Sequence, residues 1–389
     1  MSPRTPAPAV EGPASVEALA EALCAAASEG AAIRFAGGNT KRSWTSSADL
    51  ADVELSTLGL DRVHEHNEGD LTAVVDAGVR LKDLSARLAD AGQMLALDPP
   101  LGEDEGATVG GVIASGDSGP LRHRYMGARD LVVGARLALS DGTVVRTGGK
   151  VIKNVAGYDL AKLFTGSFGT LGAIATVSLR LHPLPPGTAT AIGRCADAKV
   201  ISDAASTLAH LRIELQSLDV RWEGGQGMVL ARFGGTAADQ PAQDAAGHLH
   251  EAGLEASVEA DDDALWSSQR EGQRSPDGAV VRVSGRIGEL ERVLAGAERL
   301  GGLAVGRAGL GISWVTLPGD GDDLAAGVAE LRRAVAPDAC VLLDAPAGLR
   351  AAAGDGEPSD AGAIELMRRI KQRFDPAGAC APASPERGV

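Results

Sequence analysis

The chain has 389 residues, a length that predicts two or three domains, and its 44% hydrophobic content is that of an ordinary globular protein. The formal net charge is −15 and there is no long Lys/Arg run, which argues against nucleic acid and anionic membrane surfaces as partners. The four cysteines, Cys24, Cys195, Cys340 and Cys380, stand far apart without a C-x-x-C pair. That argues against a zinc site, against an iron–sulfur cluster built from this chain alone and against a disulfide scaffold, and it fits a reducing compartment.

From the N-terminus, MSPRTPAPAVEGPAS lacks the apolar core of a signal peptide, and residues 1–14 read as a disordered arm. Ser15 is a good N-cap, and the pattern predicts a helix from there through Glu29, ending at Gly30. AAIRFAGG reads as a strand running into a glycine loop. DLTAVVDAG has strand-like apolar density, and LKDLSARLADAG has a helical pattern that stops at Gly92. QMLALDPP is a short strand closed by two prolines. LVVGARLALSDGTVVRT, residues 131–147, predicts a hairpin with Asp141-Gly142 as a type I′ turn. A short helix follows over 158–165, then a strand, AIATVSLRLHPLPP, stopped by prolines. HPLPPG at 182–187 reads as a linker. Beyond it, strand-like runs (LQSLDVRW, MVLARF, AVVRVSG, GISWVTL, VLLD) alternate with Ala-rich helices, which predicts a second α+β domain with an antiparallel sheet. AIELMRRIKQRF is an amphipathic helix, and residues 377–389 read as a disordered tail. No stretch reaches the length of a membrane span.

The 51 glycines are nearly twice the usual share of roughly 7%. They cluster in AGGNTK (36–41), in ATVGGVIASGDSGP (107–120) and in GGKVIKNVAGYDLAKLFTGSFGTLG (148–172). The last stretch fits neither the P-loop, since Val151 follows Lys150, nor the dinucleotide fingerprint, since Gly166, Gly169 and Gly172 give G-x-x-G-x-x-G between a helix and a strand. Alone, it leaves tight turns and ligand binding both open. Three such loops, each beside a strand, supply converging backbone N–H groups, and a long ligand carrying a pyrophosphate would engage several at once.

With RFAGGNTK, LALDPP, GATVGGVIASGDSGPLRHRYMGARDLVVG, the DGTVVRTGG hairpin and GSFGTLGAIATVSLRLHPLP, residues 16–186 resemble the vanillyl-alcohol-oxidase, or PCMH-type, FAD-binding domain. The stretch 148–172 is similar to the E subunit of bacterial glycolate oxidase, and RRIKQRFDPAG matches the family's last helix. Where the family continues with an Asn-Pro-Gly element, this chain has ACAPASPERG. The resemblance implies an α+β fold. A PCMH-type FAD-binding domain of two α+β subdomains would span 15–186, an α+β cap domain with an antiparallel sheet 187–358, and a C-terminal helix returning to the FAD domain 359–376. It also implies roles. Gly37, Gly38, Asn39 and Thr40 would cradle the FAD pyrophosphate. Pro99 and Pro100 would shape the wall near the isoalloxazine. Thr108, Gly110, Gly111 and Ser115 would line the other side, and Gly172 and Ile174 the adenine end. Some relatives link FAD through a histidine after the first glycines. Asn39 stands there in this chain, which implies noncovalent FAD.

No catalytic residue is assigned. His123, in the run Arg122-His123-Arg124-Tyr125, faces the flavin or belongs to a solvated basic turn. Lys150, Lys153 and Asn154 bind an acidic substrate or the FAD phosphates, or form a loop that docks a partner chain; the docking reading is preferred. Relatives that oxidise 2-hydroxy acids carry a metal-binding histidine pair. After the linker this chain has only His210, His248 and His250, and the last two stand at i, i+2 on an expected helix, so no metal site is assigned. Arg221, Trp222, Arg232, Trp266, Arg270 and Arg282 are candidate substrate groups, each equally readable as a strand-face or surface residue. The reading is an FAD-binding subunit of a multisubunit glycolate oxidase, partnered by a larger FAD-containing subunit and an iron–sulfur subunit. Its location would be cytoplasmic, with any membrane association through partners. The alternatives are a self-sufficient FAD-dependent oxidase or dehydrogenase of a small 2-hydroxy acid or polyol, and a scaffold that has lost its flavin.

Overall fold

The computed structural model describes residues 9–10, 12–150, 159–275, 277–346, 348–356 and 360–384. Lys153 and Asn154 therefore lie outside the described residues. The chain divides into two compact units. The first comprises Met1–Ser118, Met126–Leu184 and Ser359–Val389, the second Gly119–Tyr125 and Pro185–Pro358. Among the described residues no helix is long and apolar enough to cross a membrane.

In the first unit the helix Val16–Ser28 begins where Ser15 Oγ accepts from Ala18 N at 3.1 Å, and the chain leaves it through Gly30 at φ +73°. Its face of Val16, Leu19, Ala20 and Leu23 is buried, as the sequence period requires. The strands are, in chain order, β1 (Ala9–Val10), β2 (Ile33–Ala36), β3 (Val53–Ser56), β4 (Val63–Asn67), β5 (Thr72–Asp76), β6 (Gln93–Met94), β7 (Val132–Ala138), β8 (Val144–Gly148), β9 (Ala173–Arg180) and β10 (His182–Pro183). Strands β1, β3 and β2 form a small parallel sheet in that order. The larger sheet is antiparallel, in the order β4-β5-β9-β7-β8. Its centre, β9, is buried from Ala173 to Leu179, which explains the near-continuous apolar run.

Two details differ from the sequence expectation. The β7–β8 hairpin forms, but not through a two-residue type I′ turn, which needs positive φ at both central residues. Gly142 N bonds back to Leu139 O, Leu139 N bonds to Thr143 O, and within the loop only Gly142 has positive φ, +82°. This is a three-residue loop, Ser140-Asp141-Gly142, with glycine in the left-handed position. The tail, expected to be disordered from 377, is instead packed through its described residues. Ala379, Cys380 and Ala381 are buried; Ala379 and Cys380 join the same core as Leu19, Leu23 and Ile33, and Ile33 bridges Cys380 in parallel.

The second unit is one antiparallel eight-stranded sheet. Its strands are β11 (Thr188–Cys195), β12 (Ser217–Glu223), β13 (Gln226–Gly234), β14 (Glu255–Glu259), β15 (Ala279–Ser284), β16 (Leu303–Arg307), β17 (Ile312–Leu317) and β18 (Ala339–Leu342), in the order β14-β11-β13-β12-β16-β17-β15-β18. Leu218, Val220, Val229, Val281 and Val315 build the core with Leu208, Leu294 and Leu331 of the helices Ala198–His210, Leu290–Arg299 and Gly321–Val335. Elsewhere in the unit the helix Asp263–Glu271 packs Trp266 onto Ile192 and Leu230. Nearby, Arg307 and Asp219 pair at 2.6 Å with both side chains fully buried, and the guanidinium stacks 4.8 Å from the Trp314 ring centre.

Candidate cofactor cleft

β2 delivers the chain at Ala36 into the loop Gly37–Lys41. The loop turns at Asn39, which has φ +56°, a conformation that asparagine tolerates better than most residues. Its side-chain oxygen accepts from Arg34 Nη2 at 2.6 Å and its amide donates to Glu54 Oε1 at 3.0 Å. Arg34 and Glu54 are register partners on β2 and β3, and they pair; Arg42 Nη1 reaches Glu54 Oε2 at 2.6 Å. Burial alone would raise the Glu54 carboxyl, but the Asn39 amide and the two guanidiniums outweigh it and hold the group below the usual carboxylate range.

The loop can lie where it does only because Gly37 and Gly38 lack side chains. A Cβ on Gly38 would fall 1.7 Å from Gly106 O, and one on Gly37 2.3 Å from Thr108 Oγ1. Thr108 caps the helix Val109–Ser115, with Oγ1 accepting from Gly111 N at 3.2 Å. On that helix Gly110 faces inward, where a Cβ would meet Ala77 Cβ at 2.5 Å. Gly111 is exposed, and its nearest neighbour would be Thr108 Oγ1 at 3.1 Å. The third glycine cluster docks at the other end of the helix: Gly166 N donates to Ile113 O at 3.0 Å and Phe168 N to Ala114 O at 2.8 Å.

The three clusters thus converge on one cleft that is open to solvent, with a cavity volume of about 90 Å³. Of the residues singled out in the sequence, it brings together Gly37, Gly38, Asn39, Thr40, Thr108, Gly111 and Ser115. Its lining does not include Pro99, Pro100, Gly110, Gly172 or Ile174. The two prolines are buried beyond β6. Gly172, at φ +142°, sits against Ala138 O at the start of β9, and Ile174 pairs with Leu137 on β7. The sequence reading missed Arg34, Phe35, Lys41, Arg42 and Phe168, which also line the cleft. The signal was present in RFAGGNTKR, where cations bracket the glycines. Lys41 Nζ lies 3.3 Å from Asp117 Oδ2 and 5.6 Å from the Trp44 ring centre. Bare backbone at Gly37 and Gly38, the hydroxyls of Thr40 and Thr45, and three cations make a donor set suited to an extended anionic ligand, while Gly111, its N–H held by Thr108, leaves room beside it. Ser115 contributes less than expected, because its hydroxyl donates within its own helix to Gly111 O at 2.8 Å.

The remaining candidates are held elsewhere. His123 is half-buried in the second unit beside Gly309, and burial pushes its imidazole below the ordinary value. Arg124 pairs with Glu214 at 3.2 Å. Lys150 is exposed and paired with Glu65. His248 and His250 are both exposed on either side of buried Leu249. Arg221 is engaged with Glu223 at 2.8 Å and Arg232 with Asp262 at 2.7 Å. Trp222 donates to Glu298, and Trp266 Nε1 donates to Thr190 Oγ1 at 2.8 Å. Arg221, Arg232, Trp222 and Trp266 are thus tied into the second unit's own framework. Arg270 and Arg282 also have partners.

Comparison with known proteins bears on this cleft. Residues 7–148 match the family described as FAD binding domain. Over 168 residues the chain is 36% identical to glycolate oxidase subunit GlcE of Escherichia coli (strain K12), covering 42% of this chain and 48% of that protein. It is 31% identical over 191 residues to mitochondrial D-lactate dehydrogenase [cytochrome] 1 of Saccharomyces cerevisiae, covering 48% of this chain and 32% of that protein. With glycolate oxidase subunit GlcD of Bacillus subtilis it shares 37% identity over 126 residues, 32% of this chain and 26% of that protein. The chain thus spans about half the length, or less, of these curated relatives. In three dimensions it resembles alkyldihydroxyacetonephosphate synthase with a TM-score of 0.70 at 15% identity, over 96% of this chain and 75% of that one, which is a likeness of fold.

Proposed function

We propose that this chain, whose residues 7–148 match the family described as FAD binding domain, is the FAD-carrying subunit of a multisubunit oxidoreductase that converts glycolate to glyoxylate. The electrons would pass onward through a larger FAD-containing subunit and an iron–sulfur subunit. The observation that carries the reading is the cleft between the 37–41 loop and the helix Val109–Ser115. Supporting it is the likeness to a protein named glycolate oxidase subunit GlcE. Bound FAD supplies the two-electron oxidation chemistry.

The chain's own residues hold and orient that group. Backbone at Gly37, Gly38 and Gly111 lets an anionic pyrophosphate approach without steric hindrance, while Lys41 and Arg42 neutralise it and Thr40 offers a hydroxyl donor. Gly110 acts from below, seating the helix on Ala77 so that Gly111 and Ser115 face the cleft. Pro99, Pro100, Gly172 and Ile174 lie outside the cleft's lining, so the cradle is built without them. Asn39 already uses its amide on Arg34 and Glu54, and an amide is no nucleophile toward the flavin; the FAD is therefore held without a covalent bond. The complex works in the cytoplasm, with any membrane association made by its partners.

The test is expression of the chain alone and with the two partner subunits, followed by dye reduction with glycolate and with D-lactate. Turnover that needs the partners is expected. Robust steady-state oxidation by the isolated chain would instead establish a self-sufficient flavin dehydrogenase.

A further inference from the structure

The end of the chain is tied to the strand that carries the first glycine loop. Phe374 closes the helix Ala361–Phe374 edge-on against Phe164, with ring centres 5.6 Å apart. One turn earlier Lys371 Nζ donates to Thr170 O at 2.7 Å, to Asp375 Oδ2 at 2.6 Å and to Cys380 O at 2.6 Å. Asp375 in turn accepts from Ala379 N at 3.0 Å and from Cys380 N at 2.9 Å. A cation and a carboxylate thus fold the chain back on itself just after the helix. The returned segment pairs with β2: Ile33 N donates to Ala379 O at 2.6 Å, Ala381 N donates to Ile33 O at 2.7 Å, and Ser46 N donates to Ala383 O at 3.1 Å. Ile33 opens the strand that runs into Gly37, and Ser46 is flanked by Thr45 and Ser47, both on the cleft. The segment therefore grips the glycine loop on the strand that enters it and on the turn that leaves it.

Burial would raise the Asp375 carboxyl, but Lys371 and the Cys380 amide win and leave it below the usual carboxylate range, so the clamp is ionised at neutral pH. The buried Cys380 thiol is pushed up to about 12, first by burial and then by Asp375, so it stands as a neutral packing group. The small side chains of the segment suit this: Ala379 and Cys380 lie in the core under the first helix, and Ala381 is buried beside them.

We propose that residues 379–384, locked by Lys371 and Asp375, are a positioning strand for the Gly37–Lys41 loop, so that flavin retention depends on the C-terminal end of the chain. The bonds of Lys371 go to Thr170, Asp375 and Cys380, none of which lines the cleft, so the clamp acts through the segment it holds. The inference rests on the reading of the cleft as the FAD site.

The experiment measures FAD affinity of the full-length apo-protein by flavin-fluorescence titration, with amide hydrogen exchange of peptides spanning 33–41 and 379–384. The variants are Lys371→Met, Lys371→Arg and Ala381→Pro. The last removes the N–H that bonds Ile33 O without touching the clamp. Expected is about a tenfold or greater rise in Kd for Lys371→Met, substantial recovery in Lys371→Arg, and weakened binding in Ala381→Pro. Exchange at 33–41 should rise together with exchange at 379–384. If Lys371→Met does not fold, Ala381→Pro decides. Faster exchange at 379–384 with Kd within about twofold of wild type would overturn the inference and leave the cofactor reading standing. A wild-type chain that binds no FAD would overturn both.

Discussion

Gly38 faces Gly106 so closely that a Cβ on Gly38 would lie 1.7 Å from the Gly106 carbonyl oxygen. The glycine there is demanded by the fold itself, before any ligand arrives. Gly111, across the cleft, is different: it is exposed, it is not in the left-handed region, and a Cβ would meet only Thr108 Oγ1, at 3.1 Å. Two glycines that look alike in sequence therefore answer to different demands.

Gly38→Ala is expected to destabilise the apo-protein by about 1–3 kcal/mol, the cost of forcing atoms into a packed contact. Gly111→Val should leave the far-UV spectrum and the apo melting temperature near wild type while removing FAD, because its branched side chain fills the space left for the ligand. Thermal melts and flavin content measured on the same preparations separate the two. A fully loaded, folded Gly111→Val protein would show that the ligand passes elsewhere.

Purified chain should be yellow, and acid precipitation should leave the flavin in the supernatant. The reason is Asn39, committed to Arg34 and Glu54 where a linking histidine would stand. Colour that stays with the pellet would refute noncovalent attachment.

If the proposed complex exists, Lys150→Glu combined with Lys153→Glu should weaken co-purification with its larger flavin subunit and leave FAD content unchanged, since reversed rim charges act through encounter and complementarity. Lys150 pairs with Glu65 on an exposed surface, so Lys150→Glu also sets two carboxylates side by side there. A pull-down with salt titration reads the effect. Undiminished capture would remove this segment from the docking surface.

In the second unit, Asp219 is fully buried and its carboxyl is pushed up to about 6, first by burial, against the opposing pull of Arg307 and Gln269. A carboxylate whose folded value is raised binds its proton more tightly in the folded state. Its contribution to stability is then complete below the unfolded value near 3.8 and declines as pH rises through about 6. A rise from 3.8 to about 6 corresponds to a loss of at most about 3 kcal/mol. Melting of this unit should fall as pH rises from about 4 to about 6 and level off above that, and Asp219→Asn should flatten that slope. An unchanged slope in the variant would assign the pH dependence to another group.

Much of the fold was legible because local signals agreed with tertiary demands. Ser15 and Gly30 marked the first helix at both ends, and prolines and glycines bounded the strands. The hairpin at 140–143 was found, but Asp141-Gly142 reads the same in a two-residue turn and at the end of a three-residue loop; only the bonds of Leu139 separate them. The tail was misread for a clearer reason. ACAPAS is small and proline-rich, a composition shared by disordered chain and by a segment squeezed against a core. What orders it, beside the packing of Ala379 and Cys380 into the core, is backbone pairing to Ile33 and the charges of Lys371 and Asp375. In the cleft, glycine clustering pointed to the loops, while the cations Arg34, Lys41 and Arg42 escaped notice because their convergence depends on β2 and β3 lying in parallel register.

The bridge between Ile33 and Cys380 also orders events in time. Its two partners lie about 350 residues apart, so at roughly 5–20 residues per second the ribosome needs about 20–70 s to make the second after the first. Throughout that interval β2 has one edge whose N–H and C=O groups at Ile33 await their partners, and an unpaired strand edge is a template for association with other chains. Nascent or prematurely terminated chains of this protein are therefore expected to engage chaperones and to aggregate, whereas the finished chain closes its own edge.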